Sequence, residues 1–295
     1  MHDPDTDQVF VPVELDEAIA DVEMELDGES EATFQVSVGA VAALAIGVDN
    51  TVATPYLLRP FEHGADIVVH SMTKYMGGHG TTLAGAIVDS GKFPWADHKI
   101  RFHRLNTPDV SYHGVIYTEA FGPAAYIGRA RVVPLRNMGA ALSPFNAFQI
   151  LQGIETLGLR MDRVNENTLT VAKFLEKRSK VAWVNYAGLP SSPWHDRAKK
   201  YFGGRGYGSV LAFNIKGGRE AGEKFVAGLQ LHSHVANIGD VRSLVIQPST
   251  TTHSQLTAEE QVASGVNPGL VRLSVGLESI KDIIADLELG FAAAK

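Results

Sequence analysis

The sequence predicts an α/β fold, and two patterns carry that expectation. From residue 48 onward, short apolar runs bounded by turn residues alternate with longer runs whose apolar positions recur every three to four residues, the pattern of strands alternating with helices. The composition is that of a globular chain: 45% of the 295 residues are hydrophobic, enough to bury one large or two modest cores.

In chain order, residues 1–12 read as an acidic lead with two prolines. From Val13, the positions Leu15, Ile19, Val22 and Leu26 fall at helical spacing with acids on the other face and Gly28 as a stop, which predicts one amphipathic helix. Phe34–Val38 alternates like a strand, and Val41–Ile46 is a short apolar segment of either type. A short strand over Val48–Thr51 contains Asp49. After a proline-punctuated connection, an apolar strand over Asp66–His70 runs into Ser71-Met72-Thr73-Lys74 and a Gly77-Gly78-His79-Gly80 turn. Leu83–Val88 is the next predicted strand. Glu119–Met138, Pro144–Leu157 and Leu159–Arg178 read as helices, with Ser143 as N-cap and Pro144 at the first helical position. Beyond them, strands (Val181–Tyr186, Ser209–Ile215, Val241–Ile246, Val271–Val275) alternate with helices (Arg219–Leu229, Ala258–Ala263, Ser279 to the end). The helix ending near Arg178 divides the chain, giving an atypical acidic segment over 1–47, a first domain over 48–178 and a C-terminal domain over 179–295.

Several function classes are disfavoured by composition. There is no apolar run of about 18 residues, so no transmembrane helix is expected, and residues 1–10 lack the basic and apolar regions of a secretory signal. The absence of cysteine excludes disulfides, thiolate nucleophiles and Cys-ligated metals and fits a cytoplasmic protein. The net charge of −7 conceals an asymmetry: the first 58 residues hold 13 acids and no Lys or Arg, leaving 20 acidic against 26 basic residues from Arg59 onward. That mildly basic body suits small anionic partners, and its dispersed charge argues against nucleic acid. No His pair falls at metal-ligand spacing on a clear helix, so no metal site is expected. Gly203-Gly204-Arg205-Gly206-Tyr207-Gly208 lies between a helix and a strand, the wrong order for a dinucleotide fingerprint, and reads as a flexible loop. Trp183 and Tyr186 read as core.

Two residues stand out chemically. Lys74 follows a buried strand, is flanked by hydroxyls and is followed by glycines, a setting that suits an accessible, partly desolvated Schiff-base lysine. Free lysine has a pKa of roughly 10.4, so proton transfer near neutrality requires that value to be depressed. Arg272 lies in the apolar run Leu270–Val275, where a charge must be paired or reach a cleft. It reads either as a carboxylate-binding fork or as an edge-strand residue. Asp49, at a strand end, is either a functional acid or a strand-capping aspartate.

The stretch Asp49–Gly80 resembles the pyridoxal-phosphate signature of the Cys/Met metabolism family, which includes cystathionine synthases and lyases, methionine γ-lyase and the O-acetylhomoserine sulfhydrylases. Within that family, Pro108–Gly114, Gly122–Met161, Trp183–Pro190, Asn237–Leu256 and Gly269–Glu278 resemble the sulfhydrylase branch more than the lyases. The motif-by-motif resemblance runs from about Val48 to the C-terminus.

The resemblance implies a fold-type I PLP-dependent transferase-like architecture, with an incomplete large domain and a smaller C-terminal α/β domain. It implies that Lys74 carries pyridoxal 5'-phosphate, that Asp49 pairs with the pyridine nitrogen, and that Ser71 and Thr73 bind the phosphate. It further implies that Arg272 holds the substrate α-carboxylate, with Ser243 and Thr252 orienting it. Met72 departs from the small residue usual there, and either crowds the cofactor or packs inward. The implied activity is replacement of the acetate of O-acetylhomoserine by sulfide or a thiol, in a homo-oligomer if the family interface survives. A β- or γ-lyase acting on cystathionine or methionine is the same-class alternative. Residues 1–47 show none of the family's phosphate loop, ring-stacking aromatic or partner-subunit Tyr/Arg pair, as if that part were missing or replaced. Weak cofactor retention and impaired turnover are therefore expected, and a catalytically inactive remnant or partner subunit is the further alternative.

Overall fold

The structure, a computed structural model, describes residues 45–294. The acidic lead, the helix expected over Val13–Leu26 and the strand expected over Phe34–Val38 lie outside those residues, as does most of the segment Val41–Ile46.

Two sheets organise the described residues. The first has the order β1-β2-β3, formed by β1 (Gly47–Asp49), β2 (Ile67–Ser71) and β3 (Gly85–Asp89). β1 runs parallel to β2 and β3 antiparallel to it. The short helix α1 (Thr54–Leu57) links β1 to β2. After β3 come α2 (His103–Asn106), α3 (Tyr117–Phe121), α4 (Ala125–Ala130) and α5 (Arg136–Met138). The single helix expected over Glu119–Met138 is thus broken. Gly122 turns out of the helix at φ +52, and Pro134 sits inside a π-helical turn over Arg131–Leu135, where its missing N–H cannot close the α ladder. Helix α6 (Pro144–Glu155) begins as expected: Ser143 Oγ accepts from the Asn146 N–H and Pro144 takes the first position. Helix α7 (Leu157–Glu176) follows after one residue.

The second sheet has the order β4-β5-β8-β7-β6, with β4 (Val181–Asn185), β5 (Val210–Ile215), β6 (Ser233–His234), β7 (Leu244–Ile246) and β8 (Leu270–Ser274). Only β6 and β7 pair in parallel. Between the strands lie α8 (His195–Phe202), α9 (Gly218–Gly228) and α10 (Ala258–Ala263), and α11 (Ile280–Ala293) closes the chain. α10 starts on a capping box in which Thr257 and Glu260 exchange side-chain and backbone bonds.

The inner stripe of α7 supplies Val171, Ala172 and Leu175 to a core shared with Phe213, Phe225, Leu273 and Phe291. Nearer its N-terminus, Leu157, Met161 and Val164 join Val48, Val68, Tyr75 and Met76 in a second cluster beneath the first sheet. α7 therefore joins the two sheets through one continuous apolar stripe, which burial of its side chains stabilises by roughly 25 cal/mol per Å².

Two expectations change here. Tyr186 is buried, but Trp183 is 36% exposed, because it sits on β4, the edge strand of its sheet. The glycine-rich run over 203–208 is pinned rather than free: Asn165 Oδ1, on α7, accepts from the backbone N–H groups of Tyr207 and Gly208 at 2.7 and 2.8 Å.

Candidate active site

The ends of β1 and β2 assemble the first half of the site. Asp49 lies opposite Val69 in the parallel register, so Asp49, Val69 and Ser71 share one sheet face. The Ser71 N–H donates to Thr51 Oγ1 at 2.7 Å, and the Asn50 N–H to the Val69 carbonyl at 2.9 Å. These bonds stitch the Asp49-Asn50-Thr51 end to the start of the lysine segment. Asp49 Oδ1 accepts from the Thr51 N–H at 2.9 Å. On the other face His70 is buried with Nδ1 unpaired among the described residues. Burial lowers the pKa of its imidazole, and the nearby Asp49 charge opposes that shift.

Lys74 opens a tight turn past β2. Its carbonyl accepts from the Gly78 N–H at 2.7 Å, and its half-buried amine donates from Nζ to Asn237 Oδ1 at 2.5 Å. The loop that carries Asn237 is fastened onto the same turn, since the Val241 N–H donates to the Gly78 carbonyl at 2.8 Å. Thr73 is committed locally: its hydroxyl donates to the Ala84 carbonyl at 3.2 Å and accepts from the Ala84 N–H at 3.0 Å. The Ser71 hydroxyl, by contrast, has no hydrogen-bond partner among the described residues. Met72 packs inward against the cluster of Val48, Val68 and Met161, which decides between the two readings of that departure.

The second half of the site comes from β8. Arg272 pairs with Ala212 on β5 and Ile246 on β7, which places it on an interior strand and removes the edge-strand reading. It is 5% exposed. Its positive charge acts on Tyr75, the residue after Lys74. Burial raises the pKa of the Tyr75 hydroxyl, while hydrogen bonds to Ser209 and Ser274 and the Arg272 charge oppose that rise. The Tyr75 hydroxyl lies 2.6 Å from Ser209 Oγ. Ser274, two residues along β8 from Arg272 and so on its face, accepts from the Gly239 N–H at 3.1 Å.

Ser243 and Thr252 sit differently from that pair. The fully buried Ser243 hydroxyl donates to Glu278 Oε2 at 2.9 Å and accepts from the Gly276 N–H, while its own N–H donates to Glu278 Oε1 at 2.7 Å. It braces the end of β8. Thr252 is exposed, with its hydroxyl 3.0 Å from His253 Nδ1.

Sequence reading missed Asn237, Arg160 and Glu278. Asn237 opens a segment already singled out, but nothing in its residue type points at Lys74. Arg160 does leave a signal: it falls on the apolar stripe of α7 between Leu157 and Val164, where a charge needs a reason. Among the described residues no cluster of His, Asp and Glu could hold a metal ion, and no helix is long and apolar enough to cross a membrane.

The donor set fits pyridoxal phosphate at its covalent and ring positions. It offers a half-buried amine held by one neutral acceptor, a carboxylate at a strand end and, on the carboxylate's sheet face, a serine hydroxyl left without a partner. Comparisons with known proteins point the same way. The family described as Cys/Met metabolism PLP-dependent enzyme matches residues 29–292, and this chain belongs to that family. The match starts well before Val48, so the likeness reaches further toward the N-terminus than the motifs alone indicated. An O-acetyl-L-homoserine sulfhydrylase of Leptospira meyeri is 51% identical over 268 residues, covering 87% of this chain and 60% of the relative. A solved structure of a putative O-acetylhomoserine (thiol)-lyase from Campylobacter jejuni, carrying N'-pyridoxyl-lysine-5'-monophosphate, superposes with a TM-score of 0.79 at 41% identity over 83% of this chain and 58% of that one. Cystathionine gamma synthase from Xanthomonas oryzae pv. oryzae is more distant, with a TM-score of 0.66 at 33% identity over 84% of this chain and 55% of that one. The chain thus spans about three fifths of the length of the relatives it matches, and shares the fold-type I architecture of the solved ones over that span.

Proposed function

We propose that this chain carries the lysine and carboxylate-binding sites of a PLP-dependent O-acetylhomoserine sulfhydrylase, replacing acetate at the γ-carbon by sulfide or a thiol to give homocysteine or methionine. The observation that carries the reading is the convergence on one turn: Lys74 Nζ is held by Asn237, and Ser274, on the β8 face of Arg272, binds the Gly239 N–H of the same loop. Bound pyridoxal phosphate supplies an electron sink for negative charge on the substrate carbon next to the amino group. Asp49 would keep the ring nitrogen protonated, and Ser71 and Thr73 would hold the phosphate, with Ser71 the freer donor. Lys74 Nζ would hold the cofactor covalently and, as a free amine, would take the proton from the substrate carbon next to the amino group and pass it to the carbons beyond. The planar fork of Arg272 binds the α-carboxylate in a bidentate manner, helped by Thr252, and Ser243 steadies the strand end through Glu278.

The reading includes a division into units at residues 178 and 179, assembly as a homo-oligomer and a cytoplasmic setting. Sulfhydrylase relatives outrank the cystathionine synthase in identity, which supports the sulfhydrylase branch. Titration of pyridoxal phosphate into the purified chain, followed by assay with O-acetylhomoserine and sulfide, tests it. Cofactor attached to Lys74 with measurable homocysteine is the expected result. Formation of an α-keto acid without homocysteine would point to a lyase, and absence of cofactor binding to an inactive subunit.

A further inference from the structure

The turn that presents Lys74 is held from behind by a buried cation outside the proposed chemistry. Arg160, 8% exposed on α7, donates from Nη1 to the Tyr75 carbonyl at 2.6 Å and from Nη2 to the Met76 carbonyl at 3.2 Å. Nη2 also reaches the Gly153 carbonyl at 2.6 Å, and Nε the Thr156 hydroxyl at 3.2 Å. Every one of these partners is neutral, and among the described residues Arg160 forms no ion pair.

Keeping an unpaired guanidinium inside the protein is unfavourable unless its donors are used. Here they satisfy carbonyls that the turn leaves without backbone partners, as a helix C-terminus does. The fit is close. Gly78 holds φ +78, and a Cβ on it would lie 2.3 Å from Arg160 Nη1. The guanidinium thus ties the two residues after Lys74 to the corner where α6 meets α7, while Val241 and Asn237 of the loop 237–241 hold the same turn and the amine.

We propose that Arg160 is a positioning residue for Lys74, fixing the backbone of residues 75–78 so that the amine is presented to Asn237 and to the cofactor. This rests on the reading of Lys74 as the cofactor-bearing lysine. It distinguishes Arg160, which touches only backbone and Thr156, from the residues that would touch cofactor or substrate.

The test uses the full chain with Arg160→Met, Arg160→Lys and Lys74→Ala. Amide hydrogen exchange without cofactor reads the turn directly. Arg160→Met should raise exchange at the Gly77 and Gly78 amides at least tenfold, while amides of β5 and β8 stay protected. Borohydride trapping of added pyridoxal phosphate, mapped by mass, should show at least tenfold slower labelling of Lys74 in Arg160→Met, with partial recovery in Arg160→Lys. That lysine offers one point charge in place of a fork, and it reports the same two readouts should Arg160→Met fail to fold. Unchanged exchange at Gly77 and Gly78 together with unchanged labelling would overturn the proposal while leaving Lys74 in its role. Labelling that persists in Lys74→Ala would instead overturn the assignment of Lys74, and the positioning role with it.

Discussion

Lys74 and Asn237, 163 residues apart in sequence, meet through a 2.5 Å hydrogen bond from Nζ to the amide oxygen. That contact joins the first sheet to the second at the point where the chemistry is proposed. A neutral acceptor orients an ammonium without adding the full charge that would hold its proton more tightly. Asn237→Ala should therefore leave the fold intact and slow covalent attachment of pyridoxal phosphate to Lys74. A charge-assisted hydrogen bond contributes about 1.5–3 kcal/mol, so the loss should be about tenfold to a hundredfold, measured by timed borohydride trapping. Unchanged trapping in Asn237→Ala would remove Asn237 from the site.

Arg272 calls for a variant that separates substrate from cofactor. Arg272→Lys keeps the charge on β8 but loses the planar fork. The expected outcome is a KM for O-acetylhomoserine raised at least tenfold with cofactor attachment at Lys74 unchanged. Loss of attachment with substrate affinity retained would place Arg272 with the cofactor or the core.

The pair His232–Asp286 should govern acid stability in the C-terminal part. Both side chains are buried, with His232 Nδ1 2.7 Å from Asp286 Oδ2, and the carboxylate also accepts from the N–H groups of Gln230 and His232. Burial alone would raise the pKa of this carboxyl, but the His232 bond and the backbone amides outweigh it and hold it below the ordinary value. A depressed folded value contributes stability that is fully present above the unfolded value, roughly 3.9, and is lost as pH falls through the folded one. Asp286→Asn should lower the melting temperature at pH 7, by about 1–3 kcal/mol in stability, and the gap between the two proteins should shrink as pH falls below the unfolded value toward the depressed folded one. A gap that stays constant down to pH 2 would show that the charge is not what matters.

How much of this was legible in the sequence depended on whether a signal was local. The Ser143-Pro144 start of α6 and the Thr257 to Glu260 cap of α10 are written within four residues, and the strands around Asp49 and Lys74 announce themselves as apolar runs ending in polar groups. Helix α8 is legible only as an unbounded helix ahead of the glycine-rich run, because it has eight residues, no side-chain cap and only Ala198 and Phe202 buried. β6 was missed because its two residues owe their strand state to β7. The role of Asn237 depends on a contact across the whole chain, and the pinning of residues 207 and 208 depends on Asn165 from another helix. Neither has a local pattern to read. Thr73 and Ser71 looked equivalent in sequence, and only the pairing of Thr73 with Ala84 separates them.

Gly78 tests the tightness of the Lys74 turn. Its φ of +78 is left-handed, which a Cβ disfavours by roughly 1–2 kcal/mol, and the added atom would meet the Arg160 guanidinium, which is pinned by its other hydrogen bonds. Gly78→Ala should lower stability by about 2 kcal/mol or more, read as a shift in the denaturant midpoint, and should slow attachment at Lys74 as well. A variant as stable as the parent would mean that the turn yields easily and that Arg160 does not hold it firmly.

The difference between the two hydroxyls gives the last prediction. Thr73 Oγ1 bridges both backbone groups of Ala84 and so helps hold the strand after the turn, whereas the Ser71 side chain has no such duty among the described residues. Ser71 also shares the sheet face of Asp49, which suits a phosphate donor more than a structural brace. Ser71→Ala should leave the melting temperature within about 0.5 kcal/mol of the parent in stability terms. It should weaken pyridoxal phosphate binding by about tenfold or more, since a hydrogen bond to a charged group contributes about 1.5–3 kcal/mol. Thr73→Ala should do the reverse in part, lowering stability by about 1–3 kcal/mol as two bonds are lost and weakening the cofactor less than Ser71→Ala does. Equal effects of the two substitutions on cofactor binding, with stability untouched in both, would return Thr73 to the phosphate site on equal terms with Ser71.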